Sequence, residues 1–321
     1  MIHIADIIQA RETIENTIHT TPILQSDQLS RLCNNDVFLK AEHLQKTGSF
    51  KIRGATNKVT EAVRAGAESV TAASSGNHGQ AVAYIADSLG VPATIVVPED
   101  ATPCKVDAIR AYKGKIETCG TTSAERIPQA KMLAEKTSGV YIPPYDDPYT
   151  MAGQGTVGME IMEQIEDVDA VVVPVGGGGL LSGILTAIKE TQPRIKVYGV
   201  EPETANDTFL SLKNGKITTI PPTQTIADGL RASQPGDLTF PVLQKYLDDL
   251  FLVSEKEIKL AFSFVMERMK QLIEPSSAVA VAAIMNNKLP FEGKKMAVVI
   301  SGGNVDIRKI GEMTVDTVDL C

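Results

Sequence analysis

The stretch AVVVPVGGGGLLSGILTAIKE, residues 170–190, decides the fold. It opens on an unbroken run of Ala, Val and Pro, passes through four glycines, and continues as an apolar pattern at helical spacing. That is one strand, turn and helix of a parallel sheet. Working outward, the same rhythm recurs at SVTAAS, SGNHG and QAVAYIADSLG, residues 69–90. Further strands are predicted at VPATIVVP, KIETCG, KVYGVEP and KKMAVVISGG. Their apolar runs do not alternate with polar residues, so both sheet faces should be covered by helices. The expectation is an α/β protein of two domains, parallel sheets with flanking helices. YIPPYDDPY, residues 141–149, has three prolines in seven residues and ends any regular element. It marks a crossover between a small inserted α/β domain, 67–149, and a large domain made of 1–66 and 150–321. IPPTQT, residues 220–225, reads as a loop.

Composition narrows the function classes. A length of 321 residues allows two domains. The 31 basic against 39 acidic side chains give a net charge of −8, which favours solubility and argues against nucleic acid as a partner. No apolar run approaches the roughly 20 residues of a membrane span. The N-terminus carries Ile4, Ile7, Ile8, Ile14 and Ile18 near helical spacing with Asp6, Glu12 and Glu15 between them, an amphipathic helix and not a targeting segment. Cysteines 33, 104, 119 and 321 show no CxxC spacing or regular framework, so reduced thiols in a cytoplasm are expected and a thiolate metal site is not.

In such a sheet, ligands bind beyond the carboxyl ends of the strands, where loops from different strands meet. Three glycine-rich loops qualify. Gly176, Gly177, Gly178 and Gly179 lie between a strand and a helix, where free amides and the helix N-terminus favour a phosphate. The loop fits neither GxGxxG nor a Walker A ending. SSGNHG, residues 74–79, offers two hydroxyls, an amide and an imidazole, a setting for a carboxylate. His78 is assigned to the pocket wall. Ser301 opens SGGN and can share one hydrogen bond with a ring nitrogen. The fourth feature is Lys51 in TGSFKIRGA, residues 47–55, held among Gly, Ser and Ala. A lysine that must meet a bulky electrophile needs small neighbours. Phosphate cradle, carboxylate cradle, ring-nitrogen partner and enclosed lysine together describe a pyridoxal phosphate site acting on an amino acid.

KTGSFKIRGA, SSGNHGQ, GGGGLLSG, EPETAND, ADGL, IEPSSAVAVAA and SGGNVD, in this order, resemble the fold-type II pyridoxal phosphate enzymes, in particular the serine racemase and serine/threonine dehydratase family. The match runs from about residue 20 to 306. The resemblance implies a tryptophan-synthase-β-like fold with Lys51 binding the cofactor covalently and Phe50 near its ring. Asn77 would hold the ring hydroxyl, Ser301 the pyridine nitrogen, and Gly176–Gly179, Leu180 and Gly229 the rest of the cofactor. Ser74, Ser75, Gly76 and His78 would line the substrate side. A serine opposite the pyridine nitrogen favours elimination over transamination. By the same resemblance, Lys51 removes the α-proton of L-serine, L-threonine or 3-hydroxyaspartate, the β-hydroxyl leaves, and a 2-oxo acid and ammonia result. Ser75 matches the group that protonates the opposite face in racemases, which keeps serine racemisation open.

The resemblance further implies a divalent cation, Mg²⁺ or else Ca²⁺ or Mn²⁺, on Glu201, Asp207 and the carbonyl of Ala205. Hard oxygen ligands suit such ions. Lys46 and Thr47 match residues of a nucleotide site at a subunit interface, but Asp27 and Gln28 depart from its companion stretch around Ser26. A homodimer is expected from the family. The chain ends fifteen residues after Asp306, so no regulatory domain and no isoleucine feedback are expected. Arg231, after ADGL, either reaches the pocket and favours a β-carboxylate or is a surface charge. Two rivals stand beside this reading. One is β-replacement of the cysteine synthase type, whose loop reads TSGNTG where this chain has SSGNHG. The other is a non-catalytic pyridoxal phosphate or amino-acid-binding protein, against which Lys51, Ser75 and Asn77 argue.

Overall fold

A computed structural model describes residues 1–315; Cys321 lies outside them. Among the described residues, ten strands form two sheets. The larger contains β1 (Ile23–Gln25), β2 (Asp36–Ala41), β7 (Ala170–Pro174), β8 (Lys196–Pro202), β9 (Asp249–Val253) and β10 (Lys295–Ile300), in the order β1-β2-β10-β7-β8-β9. The smaller contains β3 (Val70–Ala73), β4 (Ala93–Val97), β5 (Lys115–Thr118) and β6 (Val140–Tyr141), in the order β5-β4-β3-β6. Every pairing is parallel except β1 with β2, an antiparallel edge that the sequence rhythm did not announce.

The quoted stretch behaves as its composition dictates. Val171 and Val173 of β7 enter one apolar cluster and Ala170 and Val172 the opposite one. Met296, Val298 and Ile300 of β10 likewise face away from Ala297 and Val299. A strand buried on both faces needs apolar residues at every position. The helices Pro148–Gln164 and Gly179–Lys189 cover one face, and Glu255–Met269 with Pro275–Met285 the other. A third cluster surrounds the smaller sheet, with Ile52 and Val59 of the helix Lys51–Arg64 packed beside Ile85 and Ile95. In the N-terminal helix, Ile4–Ile14, Ile7 and Ile14 are buried while Ile8 is exposed.

One polar cluster sits inside this apolar frame. Arg53, two residues after Lys51, is fully buried and donates Nε and Nη2 to Glu42 at 2.8 and 2.7 Å. Its Nη1 and Nη2 donate to Glu160 at 2.6 and 2.8 Å, and Nη1 also to Thr156. Lys40 on β2 completes the balance by donating to Glu160 at 2.5 Å. Two buried cations and two buried carboxylates, each satisfied, join β2 to the helices carrying Lys51 and Glu160. Lys51 therefore starts a helix whose position is fixed by its own first turn. Among the described residues no helix is long and apolar enough to cross a membrane.

Candidate active site

The crevice is built where strand ends meet. The segment before Lys51 is tied to the segment after β10: Ser49 bridges Gly302, and Phe50 N donates to Ser301 O at 3.0 Å. Lys51 opens its helix with Nζ 5.2 Å from the centre of the Phe50 ring. That amine donates to the carbonyl of Pro144 at 2.6 Å. Burial lowers its pKa to about 8, against a smaller upward pull from Glu274. Removing water from around an ammonium disfavours the charged form, so a usable fraction of Lys51 is neutral near pH 7.

SSGNHG follows β3. Ser74 Oγ accepts from Gly76 N at 3.3 Å, and Ser74, Ser75, Gly76 and Asn77 line a half-buried turn into the helix Asn77–Ser88. The Asn77 amide nitrogen donates to both oxygens of Glu274 at 2.9 and 3.0 Å, and its oxygen accepts from Asn304 at 2.8 Å. Glu274 is thereby part of the site, although the sequence reading gave it no role. Burial, reinforced by Asp228, lifts its carboxyl to about 7. Its signal was in the sequence: it precedes PSSAVAVAAIM, a helix without a single charge. A carboxylate at the mouth of so apolar a segment needs a partner.

Ser301 is buried after β10, its hydroxyl 3.1 Å from that of Ser277, which in turn donates to Gly302 O at 2.6 Å. Gly229 N donates to Ser276 Oγ at 2.9 Å, so ADGL is pinned to the start of the Glu274 helix. A Cβ on Gly176 would lie 3.3 Å from the Cα of Leu230, next to Gly229. Lys51, Asn77, Glu274, Ser301, Gly229 and the tetraglycine bend thus form one continuous chain of contacts.

Gly178 caps the helix Gly179–Lys189 with φ +87°, a conformation glycine adopts without strain. Leu180 is buried one residue into that helix. The first helical amides have no intrahelical acceptor and favour an anion. His78 is buried, and its Nε2–H donates to the carbonyl of Ile142 at 2.8 Å. Burial and the nearby Lys51 charge depress it to about 3, so it is neutral near pH 7.

Glu201 is the penultimate residue of β8, and Asp207 starts the helix Asp207–Asn214. Both are 0% exposed. Glu201 accepts from the amides of Thr208 and Phe209 at 3.1 and 2.9 Å. The two carboxylate oxygens of Asp207 have no hydrogen-bond partner beyond its own amide among the described residues. Burial raises both acids, Asp207 to about 7, and Asp207 raises Glu201 further. No group of three or more His, Cys, Asp or Glu converges among the described residues, so a cation here would need backbone carbonyl or water as well.

Other sequence candidates have local tasks. Arg231 donates Nε and Nη2 to the carbonyl of Thr225 at 2.9 and 2.6 Å, clamping its own loop. Ser26 accepts from Leu29 N as a helix cap. Thr47 is 3% exposed, its hydroxyl unpartnered among the described residues.

Residues 14–302 match the family described as pyridoxal-phosphate dependent enzyme. The chain is 44% identical over 311 residues to an L-threonine ammonia-lyase of Thermotoga maritima, covering 97% of this chain and 77% of the relative. It is also 44% identical over 314 residues to serine racemase of Homo sapiens, covering 95% and 92%. The solved structure of maize serine racemase superposes with a TM-score of 0.93 at 38% identity, over 97% of this chain and 96% of the other.

Proposed function

This chain belongs to the pyridoxal-phosphate dependent enzymes, and from that premise we propose that it is an ammonia-lyase of small hydroxy-amino acids. L-serine, L-threonine and 3-hydroxyaspartate are its substrate class, and serine racemisation is a second activity of the same site. The fold is the fold-type II arrangement that the sequence implied. The observation that carries the reading is Lys51, an amine brought to a pKa of about 8 by burial beside a glycine-built anion cradle.

The site's residues fit pyridoxal phosphate. The Gly176–Gly179 bend and the helix it opens would hold the phosphate, Lys51 the aldehyde carbon, Asn77 the ring hydroxyl and Ser301 the ring nitrogen, with Phe50, Leu180 and Gly229 around them. When bound, the cofactor supplies the electron sink for the bond broken at Cα. The rest is done by the chain. Lys51 Nζ, which would be freed when the substrate amine takes its place on the aldehyde carbon, takes the α-proton as general base once neutral. Ser74, Ser75 and the amides around Gly76 orient the substrate carboxylate, with His78 packed behind them. Glu274, near 7, holds or yields a proton beside Asn77. Loss of the β-hydroxyl as water leaves an enamine, which hydrolyses to 2-oxo acid and ammonia. Where Ser75 Oγ instead delivers a proton to the face opposite Lys51, the enantiomer forms.

Glu201, Asp207 and the Ala205 carbonyl would hold a divalent cation such as Mg²⁺, Ca²⁺ or Mn²⁺. The support is the pair of buried carboxylates with unpaired oxygens on Asp207, which a hard cation satisfies. Two separate sheets support a large domain of 1–66 and 150–321 and a small one of 67–149. A homodimer is the assembly this reading implies, and exposed Leu44, Leu272 and Ile307 are apolar surface available to it. The test is a panel of the three amino acids in both enantiomers, following 2-oxo acid release and chiral product together. Borohydride treatment with pyridoxal phosphate, then peptide mapping, should label Lys51. A label elsewhere, or no 2-oxo acid from any of the three, ends the reading.

A further inference from the structure

Two of the four glycines have a neighbour that no anion accounts for. A Cβ on Gly177 would lie 2.5 Å from Cε1, Cε2 and Cζ of Tyr145, and one on Gly179 2.7 Å from the Tyr145 Cβ. The ring therefore lies flat against Gly177 while the Tyr145 backbone passes Gly179, closer than any side chain there would permit. Gly176 and Gly178 face elsewhere, toward Leu230 and Thr239. Tyr145 belongs to the proline-rich crossover, and that crossover is anchored on both sides. Asp146 accepts from the amides of Asp237 and Leu238 at 3.1 and 2.8 Å. Thr239 Oγ1 donates to the Gly177 carbonyl at 2.8 Å, and Pro144 O receives Lys51 Nζ.

A run of four glycines has the most backbone freedom to lose, and an anion that must order it gives up affinity. We propose that Tyr145 is a positioning residue for phosphate: its ring holds Gly177, and its backbone borders Gly179, so that the amides opening the Gly179 helix are already converged when the anion arrives. The ring face performs this, not the hydroxyl. The inference rests on the cofactor reading above and deepens it, because it gives the crossover between the two sheets a task in cofactor selection.

Equilibrium dialysis of wild type, Tyr145→Phe, Tyr145→Ala and Tyr145→Leu against pyridoxal phosphate and against pyridoxal tests it. The readout is each protein's preference for the phosphorylated aldehyde, since general loosening weakens both ligands alike. Tyr145→Phe should keep the wild-type preference. Tyr145→Ala and Tyr145→Leu should lose roughly tenfold of it, the factor that corresponds to ordering about one residue. Should Tyr145→Ala not fold, Tyr145→Leu, which keeps the volume without the flat face, gives the same reading. A preference within about twofold of wild type in the folded variants lacking the ring overturns the inference and leaves the cofactor reading intact. A wild-type protein indifferent to the phosphate removes the cradle itself, and the inference with it.

Discussion

If Lys51 Nζ takes the α-proton, kcat for 2-oxo acid release must follow the neutral fraction of that amine. With a pKa of about 8, the neutral fraction is about 0.01 at pH 6, about 0.09 at pH 7 and about 0.9 at pH 9. The expected profile therefore rises about ninety-fold from pH 6 to 9 and flattens above it. A lysine left in water, near 10.4, would still be climbing about tenfold per unit at pH 9. The substitution Glu274→Gln sharpens the test, because the Glu274 charge is what pulls the Lys51 pKa upward. Removing that charge favours the neutral amine, so the acid limb should move to lower pH. Saturating L-serine or L-threonine, with the 2-oxo acid followed through a coupled reduction, reports kcat directly. A profile flat from pH 6 to 9 refutes the assignment of Lys51 as base. A limb that stays in place or moves to higher pH in Glu274→Gln refutes the electrostatic argument.

Arg53→Met should cost about 3–5 kcal/mol in urea unfolding, because Glu42 and Glu160 stay buried with one cation fewer; a loss under about 1 kcal/mol would show that the cluster does not need its guanidinium. Saturating Mg²⁺ should raise the thermal midpoint of EDTA-treated protein, by roughly 2.7 kcal/mol of stability at a hundred times Kd, and Asp207→Asn should abolish the rise; no response in wild type counts against the cation. Ser75→Ala should lose racemisation of serine while retaining much of the dehydration of the L-enantiomer, and equal loss of both removes the second-face role.

Local pattern carried far in this chain. The apolar runs at 170–175 and 296–300, each closed by a glycine turn, read as strands covered on both faces, and those turns pointed to the ligand side. Asn77, Ser301 and the tetraglycine bend were legible as a set because each follows a predicted strand of a parallel sheet, and such loops share an edge; Lys51 was legible by its small neighbours. Glu274 was quoted within a motif without a role, since a single carboxylate before an apolar helix has no partner visible in sequence. Arg53 stands in the quoted TGSFKIRGA with no sign of its task, because its partners Glu42 and Glu160 lie 11 and 107 residues away.

The sequence by itself determined the parallel strands β3, β4, β5, β7, β8 and β10 and the chemistry of the loops, because periodicity and turn composition are local properties of the chain; β1, β2, β6 and β9 came only with the structure. Only the tertiary structure decided how strongly those groups are perturbed. Lys51 near 8, Glu274 near 7 and the unpaired oxygens of Asp207 come from burial and from charges brought close by folding. The seating of Tyr145 on Gly177 is of the same kind. Desolvation and close packing depend on which distant residues exclude water from a site, and the fold, not residue spacing, sets that.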